Sequence, residues 1–479
     1  MMKSAIELLS ETLQNPLVKH LPQFLTSGQM AEKLANRPFE NVDWTAVPPE
    51  QRLVLLNELK ATFCVTEMAL RIAMAMQSLL WDGLLARDPR KPEQRRLIYE
   101  IAEYDFQQFD AQPWRNEFIG GATIRGITGV GKSAAANRFL SLIPQVIRHG
   151  KNDAVEWVEL SQLVYLKVHM SADGSRAGFL LNCLLAMDNA LGSDYFKLHQ
   201  GKKLTVEKLL VVVLQYLAVH RCGLLIIEEA QEENLTKSHF SRAFLTFFLR
   251  LLNHGIPVVI IGNPLAFGEL DMFSQNQSRF SEYGDFRIDP VLDFNDEEWQ
   301  AEWIGYVWSV TLLDEADDEI DDLAELIWNC TGGFPRNLAR LRRETINAAI
   351  QMGSSRVCKE HIEVAMSAPP MVGTAELVSV FTSRNWRSLE KFRDIPIGYF
   401  RSKWDSLNAN GLKTDDEGES EGTGVTAPLE TEISGKAAAK KTRMKKDVAK
   451  KGNKSKKSAA TPPKYDPEDI RSQEYVDSL

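Results

Sequence analysis

The sequence predicts an α/β fold: a three-layer arrangement with a parallel sheet between helices, then a small helical lid. A helical N-terminal region precedes it and a disordered basic C-terminal tail follows. Three observations predict this. Between Gly120 and Pro290 short apolar runs alternate with stretches of helical periodicity, the texture of strands buried on both faces. The octapeptide Gly126-Ile127-Thr128-Gly129-Val130-Gly131-Lys132-Ser133 stands where one such run passes into a helix. After Asn410 the composition turns acidic and Gly-rich, then Lys/Ala/Ser-rich, and has too little apolar surface to fold alone.

Each element follows from local pattern. Residues 1–111 read as a helical adaptor region without a catalytic constellation, with Trp44 and Trp81 as packing anchors and a helix through Arg95–Phe109. Residues 112–292 form the sheet domain, with strands expected at Ala122–Gly126, Val164–His169, Leu224–Ile227, Val258–Ile261 and Phe286–Ile288. Helices are expected at Lys132–Leu142, Phe179–Leu191, Val206–His220 and Phe240–His254. Two or three helices make a lid at 293–368, a short extension covers 369–410, and 411–479 is the tail.

Composition excludes several classes. The longest apolar run, Leu209–Val219, is interrupted by Gln215 and falls short of the roughly 20 residues that span a bilayer. Glu7 and Glu11 break the apolar stretch that a secretory signal needs, so a cytoplasmic location is expected. Five dispersed cysteines, none in a C-x-x-C pair, read as reduced packing residues rather than a zinc site or a disulfide framework. The net charge of −9 conceals a basic segment, since Lys436–Lys457 holds eleven Lys or Arg against the single acid Asp447. That run suits phosphate binding, docking to an acidic partner, or simple solubilisation.

The octapeptide fits G-x-x-x-x-G-K-[ST] in full and lies between strand and helix, as a phosphate-binding loop requires. Backbone amides over Gly126, Thr128, Gly129, Val130, Gly131, Lys132, Ser133 and Ala134 can hold phosphates at the positive end of the following helix. Lys132 reaches the β- and γ-phosphates and Ser133 offers its hydroxyl to the metal, so ATP and Mg2+ are the expected ligands. Downstream, the apolar run Leu224–Ile227 ends in Glu228 and Glu229, a metal-side carboxylate followed by a base for water. The usual first residue is Asp, and the extra methylene of Glu228 displaces its carboxylate by about one carbon–carbon bond, which predicts slow hydrolysis.

Further polar positions complete the set. Asn263, at the end of the run Val258–Ile261, is the sensor 1 candidate, although Asn before Pro also commonly starts a turn. Gly332-Gly333-Phe334-Pro335-Arg336 opens a lid helix, with Arg336 as sensor 2 or as one of a basic surface row. Arg279, with Arg287 as second choice, is the candidate finger offered to a neighbouring subunit, or an ordinary surface arginine.

This order of motifs resembles an AAA+ ATPase over roughly Arg115–Ala368. The LIIEEAQ ending and the Gly-Gly-x-Pro-Arg lid resemble the TnsC/TniB regulators of heteromeric transposons. The resemblance implies a homo-oligomer, a ring or helical filament, on double-stranded DNA, linking a target-selection protein to transposase subunits. DNA contacts are then expected on Arg176, Lys197, Lys202 and Lys203, acting on phosphates rather than bases. A replication initiator or helicase loader is the alternative, for which Thr374–Leu407 is short for a winged helix. A nucleotide-switched signalling or defence ATPase is another.

Overall fold

The computed structural model describes residues 4–103, 119–171, 174–202, 204–231 and 241–414, with backbone alone at 241–244 and 409–414. The expected helix beyond Glu103, the boundary at 111, residues 203 and 240, and the tail beyond Thr414 lie outside them.

Seven strands occur among the described residues: β1 Ala122–Arg125, β2 Val146–His149, β3 Leu160–Leu163, β4 Tyr165–His169, β5 Leu224–Ala230, β6 Val258–Gly262 and β7 Asp285–Arg287. Five form one parallel sheet in the order β4-β5-β6-β1-β7, so β6 separates the phosphate-loop strand from the strand of the two glutamates. All five were legible as apolar runs between helical stretches. The antiparallel pair β2 and β3 was not, because each has only four residues and polar ones interrupt it, Arg148 and His149 in β2 and Ser161 and Gln162 in β3, leaving no apolar run to detect.

Side chains alternate across the sheet. Leu225 and Ile227 pair in register with Val258 and Ile260 and pack on the helices Arg176–Leu191, Val206–Val219 and Ser241–Asn253 through Phe179, Leu184, Leu214 and Phe248. Leu224, Ile226, Val259 and Ile261 face the other way, onto Phe139 of the helix Lys132–Leu140 and onto Ile72, Met76 and Leu80 of the helix Glu67–Ala86. Each such side chain contributes about 1.5–3 kcal/mol by leaving water. Strands covered on both faces carry continuous apolar runs for this reason.

The N-terminal region packs directly on the sheet. Its helix Glu67–Ala86 is part of a sandwich layer, and the described residues form one compact unit. The lid has four helical segments rather than two or three, at Trp299–Trp308, Leu323–Thr331, Pro335–Gln351 and Lys359–Met366. Trp44 and Leu59 pack onto its Leu312, Ile346 and Ile350, tying the N-terminal segment to the lid.

Arg52 is the fastener of that contact. Its buried guanidinium donates to the carbonyls of Trp44, Val47 and Leu312 and to Asp314 Oδ1 at 2.7–3.0 Å. Removing it orphans three carbonyls and a carboxylate, so Arg52→Ala should cost about 3 kcal/mol. Chemical denaturation would read this as a lower midpoint, and an unchanged midpoint would show that the contact is not cooperative with the core.

After the lid, the helix Ala375–Thr382, the 3-10 turn Trp386–Lys391 and the helix Ile397–Thr414 fold back over the phosphate loop. Phe381, Leu389, Ile395, Phe400 and Trp404 share a cluster with Ile127 and Val130 of that loop. No strand occurs in this module among the described residues. Nor is any described helix long and apolar enough to cross a membrane.

Candidate nucleotide site

The loop between β1 and the helix Lys132–Leu140 turns through Gly129 and Gly131 at φ +95° and +99°, values that only glycine adopts without strain. The turn ends with the unpaired amides of the helix start facing a cavity of about 940 Å³. Thr128 through Ala134 line it, together with Glu229, Asn263 and Arg336, so four separately predicted motifs converge on one space. That volume is in the range of small-molecule sites.

Lys132 is the central cation. Burial, with a smaller push from Arg336, lowers its ammonium to about 8, against an opposing pull from Asp394. Its Nζ donates to Ile127 O at 2.9 Å, holding the side chain curled over its own loop. The lid helix meets the loop directly, with Arg336 N donating to Gly129 O at 3.1 Å.

Glu228 and Glu229 are separated by a backbone irregularity. Ile227 pairs with Ile260 but Ala230 with Gly262, so β5 carries one residue more than β6 between those pairs. A bulge of this kind re-aims side chains at a strand end. Glu229 occupies the left-handed region at φ +60°, costing about 1–3 kcal/mol in a non-glycine residue, and its side chain is 65% exposed at the cavity. The strands approach so closely here that a Cβ on Gly262 would lie 2.3 Å from Ala230 O.

Glu228 instead points inward and does not line the cavity. Its side chain is 5% exposed, Oε2 is 3.4 Å from Lys167 Nζ, and Oε1 is buried without a hydrogen-bond partner. Lys167 also donates to Asn137 on the phosphate-loop helix at 3.0 Å, which sets Glu228 beside that helix. An orphaned carboxylate oxygen there fits magnesium, which takes one or two carboxylates and completes its shell with phosphate oxygens and water. Ser133 lines the cavity whereas Glu228 lies behind its wall, so of the two residues expected to hold the ion only Ser133 faces the phosphates directly, and an ion held there would neutralise their charge. No cluster of three or more His, Cys, Asp or Glu suited to a metal occurs among the described residues.

The remaining candidates are placed variously. Asn263 does start a turn, its Oδ1 accepting from Leu265 N at 2.9 Å, and its Nδ2 donates to Asp394 O at 2.6 Å. Arg279 lies on the helix Ser274–Phe280, away from this cavity. Arg287 lines the cavity of its own chain. Arg176 pairs with Glu207 at 3.0 Å and Lys197 with Asp194 at 2.7 Å, so both are neutralised locally. Lys202 is exposed, and Lys203 lies outside the described residues.

Three features escaped the sequence reading. The segment Lys60–Arg71 of the N-terminal region supplies Phe63, Cys64, Thr66 and Met68 to a wall opposite the lid's Trp303, Val307 and Ala339. No motif marks it, because apolar residues there look like any core. His169 sits 3.5 Å from Glu229 Oε2, and its place at the end of an expected strand was the available signal. Arg393 and Asp394, from beyond the lid, also line the cavity.

A family model described as an AAA domain matches residues 120–269. Among solved structures, the Aeropyrum pernix ORC1 protein in complex with DNA is 16% identical, over 70% of this chain and 83% of that one, at a TM-score of 0.36. Drosophila ORC bound to DNA is 13% identical over 64% and 68%, at 0.33. The Thermotoga maritima RuvB Holliday junction branch migration motor is 15% identical over 57% and 68%, at 0.29. No curated protein matches the chain. On the domain match, with a phosphate loop that follows β1 between β6 and β7 in a five-stranded parallel sheet, this chain carries an AAA+ ATPase domain over residues 120–269.

Proposed function

We propose that the chain is an ATP- and magnesium-dependent assembly factor that oligomerises on duplex DNA and links a target-selection protein to a transposase. The observation that carries the ATPase part is the convergence of the phosphate loop, Glu229, Asn263 and Arg336 on one cavity. In this reading Lys132 binds the β- and γ-phosphates, Glu229 polarises water, and Asn263 and Arg336 sense the nucleotide from the sheet and the lid. Arg279 is offered to the neighbouring subunit. The transposition part rests on the motif order that resembles TnsC/TniB regulators, from the loop at Gly126 to the lid at Arg336.

Imaging the protein on duplex DNA with ADP and with a slowly hydrolysed ATP analogue tests the proposal, the expected result being ordered oligomers with the analogue alone. Lys and Arg acting on phosphates release counterions, so affinity should fall by a factor on the order of 10² between roughly 50 and 200 mM salt. A flat salt response would remove the DNA-backbone part. Addition of the transposase without any change in its target choice would remove the linking part.

A further inference from the structure

The module after the lid has no role in the scheme above, yet it is keyed onto the nucleotide site at several independent points. Its apolar residues cover Ile127 and Val130 of the phosphate loop. The carbonyl of Asp394 holds the Asn263 amide at 2.6 Å. Tyr399 hydrogen-bonds Asp289 through its hydroxyl, and the Arg287 guanidinium lies 3.1 Å from its ring centroid.

These contacts bring cations together. Lys132, Arg287, Arg336 and Arg393 all line the cavity. Arg287 Nε reaches Asp289 at 3.3 Å, while its Nη2 is buried without a partner. Arg393 is exposed at the cavity and pairs with no acid among the described residues. A wall with a buried orphan guanidinium donor and an unpaired arginine calls for an anion with several acceptor oxygens, which a polyphosphate supplies.

We infer that Arg393 is a further phosphate-binding residue of this site, supplied in cis by the post-lid module and directed at the γ-phosphate. The direction follows from its neighbour, because Asp394 grips Asn263, the residue that closes β6 beside Glu229. Arg287, held by its stack on Tyr399, is the second cation of the same wall. An ATP-bound site would thus draw the strap 392–396 onto the nucleotide, and an ADP-bound site would release one of its attachments. The inference rests on the reading of the cavity as an ATP site.

The test is titration of the full chain with fluorescent ATP and ADP analogues, comparing the parent with Arg393→Ala and Arg393→Lys. A charge-assisted contact to the γ-phosphate alone should make Arg393→Ala lose about tenfold in ATP affinity, with ADP affinity changed less than about twofold. Arg393→Lys should recover part of the loss, since it keeps the charge and gives up the fork. Equal loss for both nucleotides overturns the inference by placing the contact on a part that ATP and ADP share, and no loss overturns it by leaving Arg393 as part of the cavity mouth only. A parent chain that binds neither nucleotide overturns the ATP site itself, and the two failures are distinguished by that control. Circular dichroism melting of both variants separates misfolding from lost contact, because Arg393 is exposed and its removal should leave the midpoint unchanged.

Discussion

Lys132→Ala is expected to lower ATP affinity by at least about 100-fold and to abolish nucleotide-dependent assembly. Among the cavity cations Lys132 alone rises from the phosphate loop itself, next to the helix start where the phosphates would lie. Its ammonium is held in a buried place that depresses it to about 8, so the folded chain bears a cost for this cation that an anion would offset. Removing it therefore should not destabilise the empty protein, which separates a binding defect from misfolding. A 100-fold loss is about 2.7 kcal/mol, the size of a charge-assisted contact in a partly dry site. The measurement is a direct nucleotide titration alongside a thermal melt. Unchanged affinity would mean that the curled state over Ile127 O is this lysine's whole role.

Glu229→Gln is expected to bind ATP at near-parent affinity while hydrolysis falls by about 10²- to 10³-fold, trapping the assembled state. The amide keeps the shape of the side chain and its left-handed backbone, but cannot accept a proton from water. Glu228 remains, so the inward carboxylate oxygen beside the phosphate-loop helix is untouched. Glu229→Gly provides the companion measurement. It relieves the strain at φ +60°, so it should lose hydrolysis while gaining about 1 kcal/mol of stability. Loss of activity with a gain in stability is the signature of a residue kept for chemistry. Hydrolysis at the parent rate in Glu229→Gln would instead reassign the base, with His169, 3.5 Å away, the next group to test.

The strands and the loop were legible because their signals are local. Strands buried on both faces must be apolar throughout, and a phosphate loop needs glycine where φ is positive and Lys and Ser at defined offsets, so β1, β5, β6 and Gly126–Ser133 announce themselves in short windows. The same locality explains Glu228 and Glu229 as a pair at a strand end. It gave them different roles by their order alone and did not show that one points inward and the other outward, because that difference comes from the bulge before Ala230, where β5 fits against Gly262.

By itself the sequence determined the sheet domain, the order of its motifs and the residues that could act on a polyphosphate. Tertiary structure alone decided who shares the cavity with them. Phe63 and Met68 come from before the sheet, and Arg393 and Asp394 from well beyond the lid. Such residues carry no periodic or spacing signal, since what recruits them is burial elsewhere. Ile72 and Leu80 are pulled onto the sheet, and Phe381 and Trp404 onto Ile127, and the polar neighbours of these anchors are carried to the site with them. The apolar contacts that recruit them act without direction and over any separation in sequence, so their partners exist only once the chain has closed on itself.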